Sequence, residues 1–90
     1  MSVSVKIPAQ LRPMTGGESN IATDGSTVGE ALESVFKLHD GLRERITEDG
    51  ELRRFVNVYV AGEDIRFSDG LATPLSDGDE VTILPAVAGG

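Results

Sequence analysis

The chain has no cysteine and no tryptophan, and it holds one histidine and one tyrosine among 90 residues. Without cysteine there is no disulfide staple, no side-chain thiolate nucleophile and no thiolate-held zinc or iron–sulfur site. The single histidine, His39, excludes the His-rich metal sites. Basic residues are also scarce: 8 Lys and Arg stand against 15 Asp and Glu, a net charge of −7. Phosphate recognition needs a clustered basic face, so nucleic acid is not an expected partner. No apolar run approaches the ~18 residues of a membrane span, and the first residues lack a signal-peptide pattern. A cytoplasmic location without membrane attachment is the expectation.

What is present is one domain's worth of ordinary core material. At 9.5 kDa and 39% hydrophobic residues the chain has room for a single thin core. Ser2–Ile7 alternates, with Val3, Val5 and Ile7 on one face and Ser2, Ser4 and Lys6 on the other, the pattern of a half-buried strand. Pro8 closes it, and Leu11–Gly17 reads as a turn region. A short strand comes next, around Glu18–Thr23, anchored by Ile21.

Thr27 and Glu30 have the spacing of a capping box, in which the hydroxyl and the carboxylate each satisfy a free N–H. Val28, Leu32, Val35 and Phe36 then recur at helical spacing, which predicts a helix from Val28 to about Leu38, stopped by Asp40-Gly41. Leu42–Ile46 reads as one further helical turn, and Thr47–Gly50 as a loop. Phe55–Val60 is β-branched and aromatic, a strand. Ala61–Asp64 connects it to a short strand, Ile65–Phe67. Ser68–Leu75 is a long irregular connection, Asp77-Gly78-Asp79 a tight turn, and Val81–Leu84 the last strand.

A helix crossing one face of a mixed sheet in this order is the β-grasp arrangement, an α+β fold. The first and last strands, richest in alternating Val and Ile, suit the centre of the sheet, paired in parallel. Residues 1–84 are expected to make up the domain and residues 85–90 a C-terminal tail.

That tail, Pro85-Ala86-Val87-Ala88-Gly89-Gly90, has no charge, and its side chains shrink toward the end. Six extended residues reach about 20 Å. Such a segment can thread a narrow channel and present its carboxylate inside another protein, and glycine leaves room for close backbone approach. A carboxylate becomes an acyl donor only when activated, for instance as an acyl-adenylate. Gly16-Gly17 lacks the following Gly-Lys-Ser/Thr of a phosphate loop, so ATP chemistry would belong to a partner.

The stretch from Asp77 to Gly90, with its acidic-glycine turn, last strand, proline and Gly-Gly end, resembles the ubiquitin-like sulfur-carrier family. That family includes the small subunit of molybdopterin synthase and the thiamine-pathway carrier. Leu11-Arg12-Pro13 with Thr15-Gly16-Gly17, and Arg54–Tyr59 with Glu63–Ser68, look closest to the branch that serves actinobacterial cysteine biosynthesis. The resemblance implies a co-substrate and not an enzyme, with no cofactor of its own. Gly90 would be adenylated by an E1-like, ATP-using enzyme and converted to a thiocarboxylate, and Gly89 would keep the tail slim. The sulfur would add to the aminoacrylate formed from O-phosphoserine by a pyridoxal-phosphate-dependent cysteine synthase. After an S-to-N shift, a zinc metallopeptidase would release cysteine. The alternatives are sulfur donation to molybdopterin, thiamine or thiosugar synthesis, or a role as a ubiquitin-like protein modifier.

Leu84, Pro85, Ala86, Val87 and Ala88 are the expected partner-binding residues, with Phe55 and Tyr59 adding to the same patch if Val56, Val58 and Val60 face the core. Set against this, single exposed leucines are common on any surface. His39 suits the C-terminal end of the helix dipole better than a metal. Asp77, Asp79 and Glu80 read as a turn rather than a calcium loop, because a strand begins at once. Arg43, Arg45, Arg53 and Arg54 among their acidic neighbours read as a mixed-charge surface.

Overall fold

In the computed structural model, which describes residues 2–54 and 56–85, the alternation of the first residues becomes strand β1, Ser2–Lys6. Val3 and Val5 are buried, and so is Ile7 just beyond the strand. β1 pairs antiparallel with β2, Asn20–Asp24, placing Ile21 beside Val5. The expected turn at Leu11–Gly17 is instead a 3-10 helix over Ala9–Thr15, with Pro13 inside it. Tight 3-10 bonding tolerates a proline that an α-helix interior would not. Thr15 closes the segment, its hydroxyl shared between the carbonyls of Arg12 (3.0 Å) and Glu18 (2.8 Å).

Helix α1 runs over Val28–Leu38, as its periodicity predicts, and buries Val28, Ala31, Leu32, Val35 and Phe36. Thr27 caps it by accepting the Glu30 N–H at 3.2 Å. The Glu30 carboxylate reaches one residue further back than a capping box requires. It accepts the Ser26 N–H (2.9 Å) and the Ser26 hydroxyl (3.1 Å). The helix does not end on a left-handed Gly41: His39 is its C-cap, and Gly41 opens helix α2, Gly41–Ile46. Arg43 of α2 holds α1 by forking onto Glu33 (2.6 and 2.9 Å) while its guanidinium lies 5.2 Å from the Phe36 ring centre.

Thr47–Gly50 is not a plain loop. Thr47–Glu48 (β3) and Glu51–Leu52 (β4) form a small hairpin around Asp49-Gly50. Strand β5, Val56–Val60, turns through Ala61-Gly62 into β6, Glu63–Asp64. The strand expected at Ile65–Phe67 is a 3-10 turn; Ile65 plugs the core while Phe67 is 84% exposed. The Asp64 carboxylate accepts the Arg66 N–H at 2.8 Å and so turns the chain out of the sheet. A further 3-10 turn, Gly70–Ala72, lies in the long connection. That connection is tied to the start of α1 by Val28 N–H to Thr73 O (3.0 Å) and Leu75 N–H to Ser26 O (2.8 Å).

The last strand, β7, spans Glu80–Pro85, one residue longer at each end than the sequence pattern suggests. The sheet order is β2-β1-β7-β5-β6, with β1 and β7 parallel and the other pairs antiparallel. This is the β-grasp fold, and the two Val/Ile-rich strands pair in parallel as their composition suggests. Val81 and Ile83 of β7 pack under α1 with Val5, Val58 and Leu32 in one cluster.

Candidate functional site

Strand β7 is the element that delivers the C-terminal segment, and the sheet holds it from both sides. Its partners in β5 are Val58 opposite Ile83, Asn57 opposite Leu84 and Val56 opposite Pro85. On its other edge Val5 and Lys6 of β1 stand beside Val81 and Thr82. β7 is held on both edges over Val81–Thr82 and by β5 alone over Ile83–Pro85, and residues 86–90 follow from there.

The pleat sorts the side chains. Val81 and Ile83 are fully buried, while Leu84 on the opposite face is 47% exposed. Tyr59 is half-buried opposite Thr82, which makes it a diagonal neighbour of Leu84 on the open face of the sheet. Leu84 and Tyr59 thus share one face of the sheet, diagonal to each other across β7 and β5, with Asn57 directly opposite Leu84. Val56 and Val58 are buried and Val60 is only partly so. The remaining expected site residues, Phe55, Ala86, Val87, Ala88, Gly89 and Gly90, lie outside the described residues, as does the side chain of Pro85.

One side chain at this end has no counterpart among the expected site residues. Arg66 bonds Asn57 Oδ1 (2.7 Å), Val56 O (2.6 Å) and Arg53 O (3.1 Å), and its guanidinium lies 3.8 Å from the Asp64 carboxylate. It thereby ties the start of β5 to the turn that follows β6. Its only sequence signal is the Asp64 turn two residues earlier, which redirects the chain and is silent about where the guanidinium lands.

The far end of β7 is built differently. Asp77 Oδ1 accepts the Ser2 N–H (2.9 Å) and so staples the turn to β1, while Asp79 Oδ2 accepts the Ser76 N–H (2.8 Å) and closes the turn on itself. Among the described residues no group of three or more His, Cys, Asp or Glu side chains is placed to hold a metal. No helix among them is long and apolar enough to cross a membrane. What the site provides is a rigidly seated strand, an apolar and aromatic shoulder, and a short small-residue segment continuing from it.

Residues 5–90 match the ThiS family. Over 93 residues the chain is 50% identical to sulfur carrier protein CysO of Mycobacterium tuberculosis, with 100% of each chain covered. It is 40% identical over 92 residues to small archaeal modifier protein 3 of Haloferax volcanii, again covering 100% of both. Among solved structures, the crystal structure of the Amycolatopsis orientalis BexX/CysO complex contains a chain that superposes with a TM-score of 0.92 at 50% identity. That match covers 98% of this chain and 99% of the other.

Proposed function

Because this chain belongs to the ThiS family of ubiquitin-like sulfur carriers, we propose that it carries sulfur as a thiocarboxylate on Gly90, as a co-substrate of other enzymes. The observation that carries this reading is the pairing of a centrally seated β7 with the Ala86-Val87-Ala88-Gly89-Gly90 sequence beyond it. The fold through Pro85, the last residue of β7, acts as the handle, one residue beyond the boundary expected from the sequence, and residues 86–90 act as the reactive tail.

The chemistry divides between this chain and its partners. An E1-like enzyme transfers adenylate from ATP to the Gly90 carboxylate, releasing pyrophosphate. A sulfur nucleophile then displaces AMP and leaves the thiocarboxylate. That soft anion donates its sulfur to the acceptor which a pyridoxal-phosphate enzyme derives from O-phosphoserine. The new sulfur–carbon bond leaves a thioester between Gly90 and cysteine; the cysteine amine takes the acyl group in an S-to-N shift, freeing the thiol and giving an amide that a zinc metallopeptidase hydrolyses. This chain contributes the acyl group, its reach and its recognition. Leu84 and Tyr59, with Pro85 to Ala88 and Phe55, dock the partner clefts while Gly89 admits the backbone into the narrowest part. Full-length similarity to a carrier named CysO supports the cysteine branch. The existence of a BexX/CysO complex supports docking of such a fold onto larger proteins.

A second reading has a specific observation behind it: the 40% identity to an archaeal modifier protein. There Gly90 ends in an amide with a lysine of a target protein.

Intact mass separates the two. After incubation with the activating enzyme, ATP and a sulfide source, one oxygen is replaced by one sulfur, and fragmentation places the change on Gly90. Deleting Gly90, or appending a residue after it, abolishes that change while the circular dichroism spectrum and thermal midpoint stay unaltered. Sulfur gain by the blocked chain would overturn the reading. Gly90-dependent ladders of heavier species in place of sulfur gain would select the modifier.

A further inference from the structure

A groove of about 330 Å3 opens beside the end of β7, where β1 passes into the first 3-10 segment. Lys6, Pro8, Arg12, Ile83 and Leu84 are among its walls, and none of its lining residues is acidic. In a chain with 15 acidic and 8 basic residues that is a local reversal of sign. The opposite end of the β1–β7 pair is acidic: Asp24 stands opposite Ser2, and Asp77 and Asp79 form the turn before Glu80. The sheet is thus polarised along its central strands, with its positive end where the C-terminal segment departs.

The two cations are available. Lys6 is exposed on the open face beside Thr82, and Arg12 is half-exposed. Among the described residues neither has a carboxylate within ion-pair distance. Arg12 Nε–H donates to the Ile7 carbonyl at 3.2 Å, which holds the base of the guanidinium at the groove. Its terminal N–H groups find no acceptor among the described residues. A planar fork held at its base is suited to a carboxylate.

We propose that this groove docks an acidic, extended segment of the enzyme that receives the C-terminal tail. Carboxylates pair with Lys6 and Arg12, and an apolar side chain packs on Leu84 and Ala9. The proposal rests on the carrier reading. Reach as well as charge identifies the occupant. Five residues beyond Pro85 span at most about 17 Å, so any protein that holds Gly90 comes within that reach of the end of β7, beside which the groove opens. Opposite charge at that contact orients the encounter and accelerates it.

The test uses the full chain and its ATP-dependent activating enzyme, with association rates measured at low and high ionic strength. Lys6→Glu and Arg12→Glu each slow association about tenfold at low salt, and the difference closes at high salt, as steering requires. Arg12→Lys recovers most of the rate. Lys37→Glu, the same charge change on α1, leaves it as in the wild type. Lys6→Glu removes no hydrogen bond among the described residues, so it decides the matter even if Arg12→Glu loosens the 3-10 segment. Wild-type rates for Lys6→Glu at low salt, with thiocarboxylation intact, overturn the groove and leave the carrier reading standing. An equal loss in Lys37→Glu reduces the effect to net charge and also overturns it. A wild-type chain that neither associates nor gains sulfur overturns both.

Discussion

A methyl group on Gly25 would stand 2.7 Å from the Ala31 backbone nitrogen and 3.0 Å from its Cα. Backbone cannot step aside as a flexible side chain can, so Gly25→Ala is expected to cost about 1–3 kcal/mol by overpacking. Two residues on, removing the cap hydroxyl with Thr27→Ala costs about 1 kcal/mol. Urea denaturation reads both, and a Gly25→Ala variant as stable as wild type would contradict the close approach. Glu30 adds a pH dependence. Hydrogen bonds from the Ser26 N–H, and then from its hydroxyl, lower the Glu30 carboxyl below its ordinary pKa. Arg43 does the same for Glu33, chiefly through its hydrogen bonds. A carboxyl lowered on folding stabilises fully above its unfolded pKa and loses that contribution as pH falls through the folded value. Glu30→Gln is therefore less stable than wild type at neutral pH, and the two converge in acid. A gap that persists unchanged at acid pH would show that the Ser26 contacts do not depend on the charge.

At the level of elements, two hairpins use the same turn with different chemistry. Asp49-Gly50 and Ala61-Gly62 both hold two successive residues at positive φ (54° and 82° in each). This is the geometry that Asn-Gly and Asp-Gly favour. Asp49 satisfies it; Ala61 adopts it at the usual cost of a left-handed alanine. Ala61→Asn should gain about 0.5–1 kcal/mol, a rise of several degrees in Tm. Calorimetry showing no rise would place the strain elsewhere. The β3–β4 hairpin is marked in the sequence only by Asp49-Gly50, because its strands are two residues each and carry no alternation to detect. The Ile65–Phe67 segment misleads for the opposite reason. Its β-forming residues look like a strand, and the Asp64 bond to the Arg66 N–H overrides that propensity.

Over the whole molecule, β7 performs two tasks that neighbouring residues separate. Ile83 is fully buried in the central strand, and Ile83→Ala is expected to cost about 3–4 kcal/mol. That is a large part of a stability of roughly 5–15 kcal/mol. Leu84, half-exposed one residue later, should tolerate alanine within about 0.5 kcal/mol. Its loss should instead raise KM with the activating enzyme. Folding stability and turnover measured on the same pair of variants check this division. An unstable Leu84→Ala, or an unchanged KM, would remove Leu84 from the docking face.

The period-two runs at Val3–Ile7 and Val81–Ile83, the helical spacing from Val28 to Phe36 and the Thr27 cap are local signals. Each depends on residues within a few positions of one another, so the chain alone carried the α+β class and the bounds of the main helix; the parallel pairing of the first and last strands was suggested only by their composition. The Gly-Gly ending was equally plain, because it is a matter of composition. Contacts between residues far apart were not legible. Arg66 reaches Val56 and Asn57 across two turns, Lys6 and Arg12 meet Leu84 only through the parallel pairing of β1 with β7, and Glu33 finds Arg43 across a helix junction. Such meetings are decided by how the elements pack, and a side chain's reach into another element leaves no periodic trace in its own.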